Sequence, residues 1–158
     1  MLDLFRVEVE NQTAVLTSGL LALERDPTAP ELLEGLMRAA HSLKGAARIV
    51  NLETPVHVAH ALEDCFVLAQ QGKLELHQPE IDLLFRGIDL LGQIAKRPEA
   101  TIVQWGTDHA EELRQFFDSL TSLTAPHQTP VAANSILAAT ASPTVPAVPS
   151  QPGSLADA

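Results

Sequence analysis

The sequence contains few aromatic residues and a single cysteine, and both scarcities narrow the class of protein to which it can belong. Aromatic side chains make up 4% of the 158 residues, and tyrosine is absent. A core built instead from leucine, alanine, isoleucine and valine favours helices over a sheet. The single cysteine, Cys65, excludes an internal disulfide framework.

Basic residues are also scarce, which argues against nucleic acid as a ligand. The chain has ten lysines and arginines but twenty aspartates and glutamates, so the formal net charge is −10. A phosphate backbone repels a chain this acidic, whereas proteins with basic patches suit it as partners. The sequence shows no signal peptide and no apolar run of membrane-spanning length. We therefore expect a cytoplasmic protein without membrane insertion.

Glycine-rich phosphate-binding loops are missing as well. Neither the GxxxxGK[ST] pattern nor a dinucleotide-binding GxGxxG occurs anywhere in the chain. We therefore expect that this chain binds no cofactor of its own and cannot draw phosphate from ATP alone, so that it must receive the phosphate.

Apolar residues recur at helical spacing in five segments, and no segment alternates in the manner of a strand. The segments begin near Leu2, Thr28, Thr54, Pro79 and Asp108. Five amphipathic helices joined by short turns predict an all-α fold, in which an antiparallel four-helix bundle carries an additional helix.

Short motifs predict several helix ends. Thr28 and Glu31 are three apart and match a capping box at the start of the second helix. Thr54 followed by Pro55 matches an N-cap with proline at the first helical position of the third helix. Gly72 is expected at the position just after the end of that helix, where a left-handed conformation is common.

The composition changes after residue 124. Six of the eleven prolines lie in residues 125–158, among alanine, serine, threonine and valine. We expect one helical domain over residues 1–124 and a flexible, Pro/Ala-rich disordered linker over residues 125–158.

His41 is the candidate phosphorylation site. The predicted second helix buries a stripe made of Leu33, Leu36, Ala40, Leu43, Ala47 and Val50. His41 lies beside this stripe and is therefore open to a partner. Lys44 follows one turn later and can reach a dianionic group on the ring. Gly45 costs about 1 kcal/mol relative to alanine in a helix interior, and its missing side chain leaves room for something to approach.

The predicted third helix carries a histidine and a carboxylate on one face. His60 and Glu63 are three residues apart, and antiparallel packing around the turn at 52–54 allows both to meet His41. A carboxylate that accepts a hydrogen bond from one ring nitrogen sets the tautomer and leaves the other nitrogen free to attack phosphorus. We therefore predict His41, Lys44, His60 and Glu63 as the catalytic residues.

Each residue also has an ordinary explanation. His41 could be a boundary histidine, Lys44 a solvated charge and Glu63 a surface acid. In that case the chain is a non-catalytic acidic helical adaptor that recruits signalling partners.

Other histidines allow further interpretations. A metal site could use His57 and His60 with Glu63, although these side chains spread over roughly 120° of helix surface and lack the i, i+4 geometry of a two-histidine zinc helix. His77, His109 and His127 lie near helix ends or in the tail, where a solvated or capping role is expected.

The segment HSLKGAAR at residues 41–48 closely resembles the phosphoacceptor motif of histidine phosphotransfer (HPt) domains, particularly the N-terminal P1 domain of CheA-type histidine kinases. The resemblance covers roughly residues 1–123. It implies that His41 is phosphorylated, and it matches Lys44 and Gly45 to the lysine and the open glycine of that motif.

The resemblance extends to His60 and Glu63, which match the family's supporting histidine and glutamate in type and spacing. The segments LLALERDP, MRAAHSLKGAARIV and VAHALEDC look most similar to the CheA-like hybrid kinases of Wsp-type surface-sensing systems. This resemblance implies two-component signalling partners: a kinase catalytic domain that uses ATP and Mg²⁺, and receiver domains of diguanylate cyclase and methylesterase response regulators. Because the kinase domains are missing here, we expect the chain to be an N-terminal fragment.

Overall fold

The structure, a computed structural model, describes residues 1–124, and within this range it contains helices and no strand. The helices are α1 (Leu2–Leu23), α2 (Pro30–Ile49), α3 (Glu53–Gln70), α4 (Gln78–Ala95), α5 (Glu99–Ile102), α6 (Trp105–Asp108) and α7 (Ala110–Thr124). The all-α prediction is confirmed. The predicted linker at 125–158 lies outside the described residues.

Four long helices form a closed ring. Helix α1 contacts α2, α2 contacts α3, α3 contacts α4, and α4 contacts α1, while α7 packs against α4 and α3. This is the predicted four-helix bundle with an additional helix. Its interior is mainly aliphatic, and Leu16, Leu20 and Leu62 are fully buried. Each such leucine stabilises the fold by roughly 1.5–3 kcal/mol.

The predicted capping box at the start of the second helix is wrong. Helix α2 begins at Pro30, with Ala29 as its N-cap and no side-chain cap. Proline favours the first helical position because its φ angle is already helical and its missing N–H is not needed there. The hydroxyl of Thr28 instead lies 3.5 Å from Asp26 Oδ1.

The predicted N-cap of the third helix is wrong by two residues. Helix α3 begins at Glu53 with Leu52 as its N-cap, so Thr54 and Pro55 lie inside the first turn. Pro55 is tolerated there because the first N–H groups of a helix have no intrahelical acceptor.

Left-handed residues end both helices that carry the predicted site. Gly72 follows α3 with a φ of +73°, which confirms its predicted place. Asn51 follows α2 with a φ of +56°, and the Leu52 N–H donates to the Ala47 carbonyl at 3.0 Å. This tight turn returns the chain along α2, so that α3 lies against the helix that carries His41.

The fourth helix begins near its predicted start. His77 is the N-cap of α4, and its backbone N–H donates to the Glu80 carboxylate at 2.9 Å.

None of the helices in residues 1–124 is long and apolar enough to cross a membrane.

The segment before the last helix differs from the prediction. Helix α7 begins at Ala110 rather than Asp108, and the residues before it form the short helices α5 and α6. Trp105 of α6 is 2% exposed and stacks on His109, with ring centroids 4.0 Å apart. Helices of four residues are too short to show an apolar period, so the pattern could not predict them.

Candidate functional site

His41 lies on the exposed side of α2. Its side chain is 66% exposed, whereas the neighbouring Ala40 and Leu43 are 0% and 1% exposed. The predicted stripe is buried except at Val50, which is only partly covered. The histidine is thus held by a helix that the core anchors, while its ring remains accessible to another molecule.

Glu63 of α3 orients the ring of His41. Its Oε2 atom lies 3.1 Å from His41 Nδ1, and its side chain is 15% exposed. A carboxylate can only accept hydrogen bonds, so Nδ1 carries the hydrogen and the lone pair of Nε2 is free. In its neutral form the imidazole therefore has one nitrogen, Nε2, available as a nucleophile.

Lys44 binds the same carboxylate. Its Nζ atom lies 2.9 Å from Glu63 Oε2 and 3.1 Å from Oε1. Among residues 1–124, Lys44 is the only charged residue that is buried, with 9% exposure. The interpretation of Lys44 as a solvated charge is therefore wrong. Its ammonium is held close to the His41 ring because both groups contact one oxygen of Glu63.

The two contacts keep Glu63 ionised. Burial raises the pKa of its carboxyl group, but hydrogen bonds from Lys44 and His41, together with the charges of both, outweigh that effect. The pKa of Glu63 therefore lies below its ordinary value of 4.5. At neutral pH the group is a carboxylate that accepts from both partners.

His60 is not joined to this group of three. Its side chain is 52% exposed, and its Nε2 atom lies 3.4 Å from Asp64 Oδ1. In the described part of the chain, no hydrogen bond or ion pair links His60 to His41, Lys44 or Glu63. The structure thus brings together three of the four predicted site residues.

Residues 1–124 contain no group of three His, Cys, Asp or Glu side chains that could hold a metal ion.

A comparison with known protein families matches residues 1–120 to the Hpt domain. The chain belongs to the Hpt domain family. This match covers most of the chain and includes all of α1 to α6 and most of α7.

Relatives of this Hpt domain include chemotaxis and sensor kinases. Chemotaxis protein CheA of Halobacterium salinarum is 38% identical over 88 residues, which cover 56% of this chain and 13% of the relative. CheA of Rhizobium meliloti is 31% identical over 147 residues, covering 93% and 19%. Sensor histidine kinase CheAY of Helicobacter pylori is 31% identical over 87 residues, covering 55% and 11%. The chain thus spans less than a fifth of the length of these relatives, and it is similar to the Hpt domain of CheA-type kinases.

The Hpt domain has a second carboxylate beside His41 that the sequence did not predict. The Ser42 hydroxyl donates a partly buried hydrogen bond to Glu8 of α1. Glu8 Oε1 also accepts from Gln12 Nε2 at 3.0 Å. The sequence contains only a weak indication of this contact, namely that the polar residue Ser42 directly follows the candidate histidine and precedes a core leucine.

Exposed apolar side chains at the start of α1 and the end of α2 lie beside His41 in the Hpt domain. Met1, Leu4 and Ile49 are 78%, 69% and 65% exposed, and they line one surface depression together with His41 and Gly45. A Cβ atom added at Gly45 would have no other heavy atom within 4 Å. The space next to the histidine is therefore open, as the glycine predicted.

Proposed function

We propose that this Hpt domain is the phosphocarrier of a CheA-like two-component histidine kinase. His41 accepts a phosphoryl group from the kinase catalytic domain and donates it to the acceptor aspartate of a response-regulator receiver domain. The observation that supports this function is the hydrogen bond between Glu63 and Nδ1 of an exposed histidine, because it leaves Nε2 nucleophilic and accessible.

The chemistry follows from that hydrogen bond. Nε2 attacks the γ-phosphorus of ATP, a bond from nitrogen to phosphorus forms, and the bond from phosphorus to the bridging oxygen breaks so that ADP leaves. Positive charge develops on the ring during the attack, and the Glu63 carboxylate stabilises it through Nδ1–H. In this proposal ATP and Mg²⁺ are bound by the kinase catalytic domain, and the phosphocarrier needs no cofactor of its own.

Lys44 has two tasks in the proposal. It holds Glu63 in place through the two contacts described above, and its ammonium has a third hydrogen to offer. That hydrogen can meet an oxygen of the phosphoryl group as it arrives, because Lys44 lies one turn after His41 on the same helix. Charge stabilisation of this kind supplies much of the catalysis in phosphoryl transfer.

His60 has a different place in the proposal. It is exposed on α3 one turn before Glu63, and its partner is Asp64 rather than the His41 ring. We therefore assign it a supporting role in which it contacts the incoming domain. The sequence predicted a catalytic role for His60 beside His41, whereas this supporting role acts through the incoming domain.

The specific partners are a finer proposal. The resemblance of residues 20–27, 37–50 and 58–65 to Wsp-type hybrid kinases supports a role in cytoplasmic surface sensing. The receivers would then belong to a diguanylate cyclase and a methylesterase. Transfer from phosphorylated His41 to each purified receiver, compared with an unrelated receiver, tests this assignment.

The test of the main function is phosphorylation of the full chain by the catalytic domain of a CheA-type kinase with radiolabelled ATP. We expect an acid-labile label on His41 that a receiver domain removes. His41→Gln should abolish the label with unchanged helix content, since the ring lies outside the core. A label that persists in this variant, or no label on the unmodified chain, contradicts the proposal. The adaptor alternative predicts no label, and it does not explain why His41 and Lys44 both contact Glu63.

A further inference from the structure

Only one polar side-chain contact joins α1 to α2 in residues 1–124, and it lies next to the phosphoacceptor. The hydrogen bond from Ser42 to Glu8 is the sole hydrogen bond or ion pair between side chains of these two helices in that range. Gln12 of α1 donates to the same oxygen of Glu8 and so helps to hold the carboxylate in place.

The two helices also approach each other closely at a second point, where no polar side chains pair within residues 1–124. A Cβ atom on Gly19 would lie 2.6 Å from Leu36 Cδ2, so the helices approach closely at that end. Val9 and Leu16 lie between these two points along α1 and are buried in the core. Apolar contacts are not directional and tolerate small shifts, whereas a hydrogen bond restricts both distance and direction. The contact between Glu8 and Ser42 is therefore suited to setting the register of α1 at the His41 end.

This register matters to any domain that approaches His41. The surface around the ring is built from both helices, with Met1 and Leu4 on the α1 side and Gly45 and Ile49 on α2. A partner domain that contacts this surface is aligned by both helices at once. A shift of α1 along α2 would tilt the partner relative to Nε2, and phosphoryl transfer depends strongly on positioning.

We propose that Glu8 is a positioning residue for phosphotransfer, which acts on His41 through Ser42 by setting the register of α1 against α2. This inference rests on the proposed function. Two carboxylates then hold the turn that carries His41: Glu63 of α3 sets the orientation of the ring, and Glu8 of α1 sets the surface on which the partner meets that ring.

The mechanism needs a hydrogen-bond acceptor at position 8 and not a charge, which makes the variants informative. Glu8→Ala and Ser42→Ala each remove the contact, whereas Glu8→Gln keeps an acceptor oxygen for Ser42. Glu10→Ala is the matched control, because Glu10 is an exposed α1 carboxylate whose side chain makes no hydrogen bond or ion pair among the described residues.

The experiment measures kcat and KM of the full chain as substrate of a CheA-type kinase catalytic domain. We expect kcat/KM to fall roughly tenfold in Glu8→Ala and in Ser42→Ala, because small misplacements are costly in such reactions. The double variant should be no worse than either single variant, because both remove one contact. Glu8→Gln and Glu10→Ala should stay within about twofold of the unmodified chain.

Nitrogen-15 NMR of His41 separates this route from an effect on the ring. The hydrogen should remain on Nδ1 in Glu8→Ala, because Glu63 determines the tautomer. A changed tautomer would overturn the inference, as would unchanged kcat/KM in both alanine variants or an equal loss in Glu8→Gln. Ser42→Ala removes a single oxygen atom, so it provides the test if Glu8→Ala fails to fold. Absence of label on the unmodified chain would instead contradict the proposed function itself.

Discussion

The ammonium of Lys44 lies 2.9 Å from Glu63 Oε2 in an ion pair that is largely shielded from water, since the two side chains expose 11% and 15% of their surface. Exposed ion pairs contribute little to stability. Breaking a shielded pair such as this one has a larger effect, because it leaves a charge without a partner. The pair also fixes the carboxylate that faces His41. Stability and reactivity are therefore coupled at Glu63, and the predictions below separate the two.

Glu63→Ala should slow phosphorylation of His41 by roughly 10- to 100-fold, because the tautomer and basicity of the attacking nitrogen are no longer set. Nitrogen-15 NMR should show the imidazole changing from the Nδ1–H form to a mixture of tautomers. Glu53→Ala is the control, as it removes an exposed α3 carboxylate whose side chain makes no hydrogen bond or ion pair among the described residues. Equal rates and equal tautomer ratios in all three proteins would show that Glu63 is a bystander.

Lys44→Met should slow phosphoryl transfer by about tenfold or more and lower the free energy of unfolding by about 1 kcal/mol, since it removes charge while keeping an apolar stem. Arg38→Met on the same helix removes an exposed ion pair with Glu34 and should change stability by less than about 1 kcal/mol. Transfer rates and urea unfolding measure both effects. An unchanged transfer rate in Lys44→Met would limit the lysine to a structural role.

The stability of the domain should depend on pH through Glu63. Its pKa in the folded state is lowered from 4.5, so its contribution is fully present above that value and is lost as the pH falls through the folded pKa. The free energy of unfolding of the unmodified chain should therefore exceed that of Glu63→Gln at neutral pH, and the difference should shrink below pH 4.5. Urea unfolding over a pH series measures it. A difference that stays constant down to acid pH would contradict the assigned contacts.

Gly45→Ala should stabilise the domain and impair its function. Neither Gly45 nor Gly35 of the same helix has any neighbour within 4 Å of an added Cβ atom. Each alanine should therefore raise the free energy of unfolding by about 0.5–1 kcal/mol. Only Gly45→Ala should slow phosphorylation, because it adds a methyl group beside His41. If both variants are phosphorylated at the same rate, the open space at Gly45 is not used by the partner.

His60→Gln should raise the KM of the kinase catalytic domain for this substrate with little change in kcat or in the His41 tautomer. The reason is that His60 is exposed and contacts Asp64, so it can affect the encounter but not the ring. Steady-state kinetics and nitrogen-15 NMR provide the two measurements. A large fall in kcat would instead place His60 next to His41 during the reaction.

Much of the fold could be predicted from sequence because the relevant interactions are short in range. The five long helical segments, the exposed place of His41 beside its stripe and the left-handed end at Gly72 depend on residues within a few positions of one another. Helix starts were harder to predict at Thr28 and Thr54. Each threonine lies within two residues of a proline, and both residue types are favoured at the start of a helix. At Pro30 the proline determined the start, and the threonine before it did not act as a cap.

What the sequence by itself determined is the helical bundle, the side of α2 on which His41 lies and the open space at Gly45, since local periodicity and side-chain size decide these. Only the tertiary structure decided which charges meet. Ser42 and Glu8 are 34 positions apart, and Lys44 and Glu63 are 19 apart. Their contacts depend on how whole helices pack. The same packing pairs His60 with Asp64, although the sequence predicted that His60, three residues before Glu63 on the same helix face, would meet His41.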